Sequence, residues 1–541
     1  MRALRAAVLL LFLAACSRTG NGTPIGTRHP WTQPEVLRVD DWANPNSLNP
    51  LLASNTSDNF LAGLAFDLLV TVDDKGNDVP DLAATVPTLA NGGIAKDGRT
   101  VTYHLRKNVK WQDGVPFTAK DVKFSWQAVM NPNNNVVERR GYDVVSSVDT
   151  PDPYTVIFHL KEAFAPFVDT VFGESDDPFR VVPEHILAKY PNINRAPFNA
   201  LPIGTGPFKV VKWVHGDHVE FVANDDYFKG KPKLRRIVVR FVTDDNTREA
   251  SLRSHSADLL NDISFPIVRD LRSAANVRVL LPGSPAYESI DLNLKRPPLD
   301  DVRVRRALAY GIDAASITRD NTYGAADLAT EDIAKSSWAY DPNVTIYAYD
   351  SAKAAQLLEA AGWKTGADGI RSKNGKRLEL QLVYGQGNPT SQVIGAEVQS
   401  ELRRIGVDLS IKSYNYTLLY ATQQLGGILL GGKYDLGLYA WIAGIDPDDS
   451  QQFMCAYVPP NGNNIANYCN KQFDAAENVA LHSFDRNVRK AAYAKTQALL
   501  AQDVPVLFLY YPKRRYAMNP DLQNFAPNGV SEDWNAWQWS I

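Results

Sequence analysis

The sequence predicts a mixed α/β chain folded into several lobes, and three observations predict it. At 541 residues the chain is too long for one hydrophobic core. Its composition is that of a packed globular protein, with 45% apolar and 22% charged residues and a formal net charge of −3. From residue 36 onward, helix signals and strand signals are intermixed rather than segregated. The charge balance shows no basic excess of the kind a nucleic-acid partner requires. After Cys16 no apolar run approaches the length needed to span a bilayer.

The elements follow in order. Residues 1–16 read MRALRAAVLLLFLAAC: a basic head at Arg2 and Arg5, an apolar run from Ala6 to Leu13, and a small-residue box closed by cysteine. The run is too short for a membrane helix, so residues 1–15 are expected to be an export signal. A cysteine directly after the small residues is the bacterial lipoprotein pattern, in which the Cys16 thiol takes a lipid and anchors the chain; the alternative is an ordinary secretory signal with an incidental cysteine. The expected place is the cell envelope, on the periplasmic or extracytoplasmic face. Residues 16–34, rich in Gly, Thr and Pro and without periodicity, read as a flexible tether.

Val36-Leu-Arg-Val39 is strand-like, and Asn59 to Val70 reads as an apolar helix. Thr118-Ala-Lys-Asp121 opens a helix as a capping-box variant, with Val122, Trp126, Val129 and Met130 at helical spacing before the Asn131-Pro132 stop. Asp350 caps a second helix that Gly362 closes, and a third runs from Asp485 to Gln502 ahead of Pro505. Strands are expected at Val101–Leu105, Thr155–Leu160, Ile237–Val242, Leu378–Tyr384 and Tyr434–Trp441. In the last, alternation places Asp435, Gly437, Tyr439 and Trp441 on one face, Leu436, Leu438 and Ala440 on the other.

With Cys16 lipidated, Cys455 and Cys469 remain as a pair in an oxidising compartment. A disulfide between them closes a loop of about 15 residues, contributing roughly 3 kcal/mol in the chain-entropy model; the alternative is two buried free thiols.

Catalytic patterns do not appear. Gly427-Ile-Leu-Leu-Gly-Gly-Lys433 imitates a phosphate loop, but Tyr434 stands where a Mg²⁺-binding Ser or Thr must be, and a strand follows instead of a helix. His215-Gly-Asp-His218 reads as a solvated turn between strands rather than half a metal site. There is no GxSxG elbow, HExxH helix or reactive-cysteine setting, and no local pattern selects an acid pair among the carboxylates. Neither an enzyme nor a bound cofactor or metal is called for.

Positive signals come from a run of linked segments. Ser47-Leu-Asn-Pro50, Asp81-Leu-Ala83, Tyr103-His-Leu-Arg-Lys107, Val109-Lys-Trp-Gln-Asp-Gly114 and Pro116-Phe-Thr-Ala-Lys-Asp-Val122 open it. Ile203-Gly-Thr-Gly-Pro-Phe208, Asn224-Asp-Asp-Tyr-Phe-Lys-Gly230, Asp301-Val-Arg-Val-Arg-Arg-Ala-Leu308, Tyr434-Asp435 with Trp441, and Asp503-Val-Pro505 continue it in order. From about residue 36 to 520 the chain resembles the family 5 extracellular solute-binding proteins, the dipeptide-, oligopeptide- and nickel-binding receptors of ABC importers.

The resemblance implies a periplasmic-binding-protein clamp of three domains, with mixed sheets and a hinge. Domain I would comprise residues 35–69, 195–285 and 510–541, domain II 70–194, and domain III 286–509, with ligand held between domains I and III. It implies a monomer that hands a small solute to ABC permease subunits. Trp441 matches the tryptophan that walls the pocket in peptide-binding relatives, and Tyr416 falls where relatives place another pocket aromatic; as an isolated residue, such a Trp is more often core. Ser54, Asn55 and Thr56 follow the first strand, where relatives present groups to the ligand. Tyr439 on the Trp441 face, and Asn463 and Asn464 inside the cysteine loop, complete the candidates. The Gly204-Thr-Gly206-Pro207 run fits a tight backbone feature, either a structural turn or a ligand contact.

Two departures bear on specificity. Peptide-binding relatives carry Trp-x-x-Asp, whose Asp pairs the ligand ammonium; here Gly444 occupies that position, in Trp441-Ile-Ala-Gly444-Ile-Asp446-Pro447. Leu438 stands where oligopeptide-type relatives have Arg. Asp446 is the nearest replacement acid, unless it caps the turn before Asp448 and Asp449. The eight histidines do not cluster near the expected site, which argues against nickel-type binding. The expected solute is a peptide or peptide-like molecule, with an oligosaccharide second; a lipid-anchored hydrolase on the same scaffold is the rival from another class.

Overall fold

The structure is a computed structural model that describes residues 28–175 and 177–541. Two large sheets organise it. The first has seven strands in the order Arg278–Leu280, Tyr516–Met518, Leu259–Leu260, Val36–Asp41, Arg236–Phe241, His218–Ala223 and Phe208–Val214. Val36–Asp41 sits at its centre, parallel to both neighbours, and its alternation buries Leu37 and Val39 completely. The second has six strands in the order Ala326–Leu328, Val506–Pro512, Tyr287–Leu292, Leu436–Trp441, Glu379–Gly385 and Asp408–Tyr414. A third lobe holds the antiparallel sheet of Thr100–His104, Thr155–Leu160 and Val145–Asp152, with the ribbon Val70–Val72 and Asp78–Pro80 beside it.

The two large sheets are joined by two short crossings that run side by side. One leads from Arg278–Leu280 to Tyr287–Leu292, the other from Val506–Pro512 to Tyr516–Met518. They are bonded to each other where Arg514 N–H donates to the Pro282 carbonyl at 2.9 Å. The chain thus passes between the two sheets only at these two crossings, the covalent connection a hinge needs, while helix Phe265–Leu271 packs across onto the core of the six-stranded lobe.

The helices form where capping chemistry and apolar spacing coincide. Asp121 Oδ2 accepts from Thr118 N–H at 2.8 Å, opening helix Ala119–Met130. Asp350 accepts from Lys353 N–H at 2.9 Å at the head of Ser351–Ala360. Asp485 accepts from Asn487 N–H at 2.8 Å and opens Arg486–Asp503.

The apolar segment expected to be helical from Asn59 to Val70 differs: the helix spans Thr56–Ala65. Phe66 is extended, and Val70 has left the helix to pair with Pro80. The end is set from outside, because Gly206 N–H donates to the Ala65 carbonyl at 2.8 Å. A Cβ on Gly204 would lie 1.8 Å from that same oxygen, so the Gly-Thr-Gly run is a structural turn packed on a helix terminus. The His215–His218 segment is a hairpin turn, with Gly216 at φ +78°. Among the described residues no helix is long and apolar enough to cross a membrane; the expected signal and Cys16 lie outside the described residues.

Candidate functional site

Where the lobes meet, a cleft of about 830 Å³ opens. All three lobes line it, whereas the sequence pointed to domains I and III alone. The third lobe supplies Lys75 and Asp78 from its ribbon and Asp169 from the short helix Phe167–Thr170. The crossing contributes Pro282, Gly283 and Pro285, and the C-terminal loop contributes Asn528, whose Nδ2 also donates to the Val72 carbonyl at 2.8 Å. The six-stranded lobe supplies the rest: Tyr287, Asp332, Trp338, Trp441, the stretch 443–449, Arg486 and Arg489.

Strand alternation explains how Trp441 arrives there. Leu436 and Leu438 point into the lobe's core, whereas Tyr439 and Trp441 turn to the opposite face, where Tyr434 packs with them from just before the strand. Trp441 ends the strand opposite Tyr287, so its half-buried indole emerges at the rim of the cleft. Its Nε1–H is buried without a partner inside the protein.

Asp446 also lines the cleft, but its charge is already answered. Arg489 Nη2 lies 2.6 Å from Oδ2 and 2.7 Å from Oδ1 of Asp446, and Tyr493 Oη donates to Oδ1 at 3.4 Å. Burial works against the Arg489 charge, yet the adjacent Asp446 carboxylate outweighs it and raises the guanidinium pKa. Asp446 is an internal partner rather than a free acid waiting for an ammonium group.

The other candidates lie outside this cleft. Tyr416 is exposed, does not line the cleft, and stacks on Tyr420 with ring centroids 6.1 Å apart. Tyr439 is buried behind Trp441, 6.0 Å from the Tyr420 ring. Ser54, Asn55 and Thr56 build a helix start: Asn55 Oδ1 accepts from Asp58 N–H at 3.0 Å, and Ser54 N–H donates to Asp58 Oδ2 at 2.9 Å. Thr56 borders a separate small cavity with Arg180 and Asp533. Asn464 is fully buried, with Nδ2 donating to the Met454 and Tyr468 carbonyls at 3.0 and 2.7 Å. Asn463 donates its N–H to the Gln451 carbonyl at 3.2 Å. Both shape the loop closed by the Cys455–Cys469 disulfide.

Residues that the sequence reading passed over carry much of the cleft's charge. Asp332 and Asp449 are buried in its wall, and Arg489 reaches it from helix Arg486–Asp503. In the acidic run Asp446-Pro-Asp-Asp449 the sequence offers Asp446 as a candidate acid and Asp448 and Asp449 only as the turn after it; Asp332, in a loop with no periodicity, carries no signal at all.

Residues 79–464 match the family described as bacterial extracellular solute-binding proteins, family 5 Middle. The chain belongs to that family. This family 5 receptor is 27% identical over 540 residues to the oligopeptide-binding protein AppA of Bacillus subtilis, covering 98% of this chain and 96% of that protein. The crystal structure of NikZ from Campylobacter jejuni, in complex with Ni(L-His), superposes with a TM-score of 0.81 at 29% identity, covering 94% of this chain and 100% of that one. AppA of Bacillus subtilis in complex with a nonapeptide gives a TM-score of 0.79 at 26% identity, covering 94% and 99%. The family is one of solute-binding receptors, so the cleft is read as a binding site rather than an active site.

Proposed function

We propose that this receptor is the lipid-anchored capture component of an ABC importer, and that it takes a peptide or peptide-like solute by closing its lobes and passes it to permease subunits. The observation that carries the reading is the cleft itself. It opens where three lobes meet, and the chain passes between the two large sheets only at the paired crossings. Its volume of about 830 Å³ lies within the range of about 300–1,000 Å³ common for small-ligand sites. Support also comes from AppA, similar over nearly the whole chain and solved with a nonapeptide. On this reading the chain divides into 35–69, 195–285 and 510–541 as one domain, 70–194 as the second and 286–509 as the third.

Native mass spectrometry of the protein purified from cell envelopes tests this directly. A closed receptor releases a bound peptide-class solute, unchanged after prolonged incubation. Small-angle scattering then reports compaction when that solute is returned to the emptied protein. A saccharide in the spectrum would replace the peptide reading, a chemically altered solute would favour a hydrolase, and unchanged scattering at saturation would remove the closure step. For the anchor, Cys16→Ser should leave an unlipidated chain or an uncleaved precursor; an unmodified Cys16 in mature, membrane-extracted protein defeats the claim.

A further inference from the structure

The cleft holds more acid than its internal pairing accounts for. Asp446 is matched by Arg489, and Asp448 stands 3.7 Å from Arg140. Asp332 and Asp449 have no such cation. Both line the cleft, at 3% and 5% exposure, and all four of their carboxylate oxygens are buried without a hydrogen-bonded partner in the protein. The two carboxyls lie against each other, so that a proton held by Asp449 eases Asp332, and the amides of Asp332 itself and Ile333 ease it further; no cation stands beside either. Glu477, fully buried on helix Lys471–His482, adds two more unpartnered oxygens. Beside them Gln452 accepts from Tyr287 Oη at 2.8 Å, while its own Nε2 is unpartnered.

An uncompensated buried carboxylate is among the most costly groups a fold can carry. Structural acids are therefore given arginines, as Asp446 is. Asp332 and Asp449, left without one in the wall of an open cleft, are arranged for a charge that arrives from outside, with Glu477 behind them reached only by Arg489, which Asp446 already engages. We propose that Asp332 and Asp449, backed by Glu477, form a seat for an ammonium or guanidinium group at the end of an apolar stem, as in a lysine or arginine side chain, so that the receptor selects solutes carrying such a cation. This deepens the proposed function and rests on the cleft being the solute site.

The chemistry is consistent. Among the described residues no three His, Cys, Asp or Glu side chains are arranged to hold a metal ion, which favours an organic cation. Trp441, on the rim of the same cleft, offers an aromatic face that attracts ammonium and guanidinium groups. Without ligand, burial raises the pKa of Asp332, and burial with mutual repulsion holds Asp449 and Glu477 well above the usual carboxylate range. A docking cation favours the ionised forms, so the O–H bond of a seated acid breaks and its proton passes to the buffer.

Isothermal titration calorimetry with Ala-Lys-Ala, Ala-norleucine-Ala and cadaverine decides the matter. The norleucine peptide keeps the apolar stem and the N-terminal ammonium and removes only the side-chain charge. Wild-type protein should bind the lysine peptide about 30-fold or more tightly, with an apparent enthalpy that changes with buffer ionisation heat because protons are released. Asp332→Asn with Asp449→Asn should bring the two peptides within about threefold and abolish proton release. The same variant should melt higher than wild type without ligand, an outcome that a purely structural role would reverse; Asp449→Asn alone serves if the pair fails to fold. Equal binding of both peptides to wild type overturns the seat and leaves the peptide reading standing. Binding of cadaverine without either peptide, lost in the variant, keeps the seat and removes the peptide reading. If neither peptide nor diamine binds, the seat is overturned.

Discussion

Asp446 and Arg489 form a buried ion pair in the cleft wall, with one guanidinium nitrogen within 2.7 Å of both carboxylate oxygens and the two side chains 6% and 9% exposed. The pair joins the loop after strand Leu436–Trp441 to helix Arg486–Asp503, and so sets the position of the acidic stretch beside Trp441. Removing one partner leaves an uncompensated buried charge, which costs about 3–5 kcal/mol. Arg489→Met should therefore lower stability by about that amount in urea denaturation, and adding Asp446→Leu to it should recover most of the loss. A cost below about 1 kcal/mol for Arg489→Met would mean that the pair is solvated. Asp446→Asn should change stability without changing which solute charge is preferred, because Asp446 is already answered by Arg489.

The turn at Gly204-Thr-Gly206 makes a second prediction. A Cβ on Gly204 would sit 1.8 Å from the Ala65 carbonyl oxygen, and one on Gly206 would sit 2.4 Å from the Ala65 carbonyl carbon. Neither neighbour is a side chain that can swing away. Gly204→Ala should destabilise by about 1–3 kcal/mol, read as a fall in melting temperature, with solute affinity at lower temperature little changed. An unchanged melting temperature would show that the helix end can shift freely.

These two cases mark how far the sequence could be read. Local rules were enough for the caps at Thr118, Asp350 and Asp485 and for the strand that carries Trp441, since each depends on residues a few positions apart; the Gly-Thr-Gly run stands open in the sequence between a turn and a ligand contact, because the Ala65 backbone it packs on is remote in the chain. The helix over Asn59–Val70 was overextended because its end is set by Gly206, which is remote in the chain. Ser54 to Thr56 and Asn464 carried side chains suited to ligand contact, but such side chains equally satisfy helix starts and loop carbonyls, and here they do. Asp446 was legible as an acid near Trp441; its engagement was not, because Arg489 lies on a helix 43 positions away. Asp332 and Glu477 have meaning only once three segments are brought together.

The Cys455–Cys469 pair closes the loop that holds Asn463 and Asn464. Reduction should add two hydrogens to the intact mass. Cys455→Ser with Cys469→Ser should lower stability by roughly 3 kcal/mol, chiefly by freeing the unfolded chain. Rapid alkylation of both thiols in native, unreduced protein would contradict the bond.

Stability should also fall as pH rises, and Glu331 shows the sign. It is 2% exposed, both carboxylate oxygens lack hydrogen-bonded partners, and burial followed by the Asp332 charge pushes its pKa up from 4.5 to about 9. The groups facing it are Asp332 and Asp341, which repel its charge, Lys335, which offsets them in part, and the Tyr511 phenol. The folded state thus keeps a proton that the unfolded chain has released. Where the folded state binds more protons, the free energy of unfolding declines with pH, here from about 4.5 until the folded group titrates near 9. Asp291, raised by burial to about 7, adds to the decline over the lower part of that window. The ligand-free protein should accordingly melt higher at pH 5 than at pH 8, with Glu331→Gln flattening the slope. Glutamine imitates the protonated acid, so the gain from this substitution should be small at pH 5 and larger at pH 8. Calorimetric melts of both proteins at the two pH values measure this, and a gain of equal size at both would show that Glu331 titrates as an ordinary carboxylate.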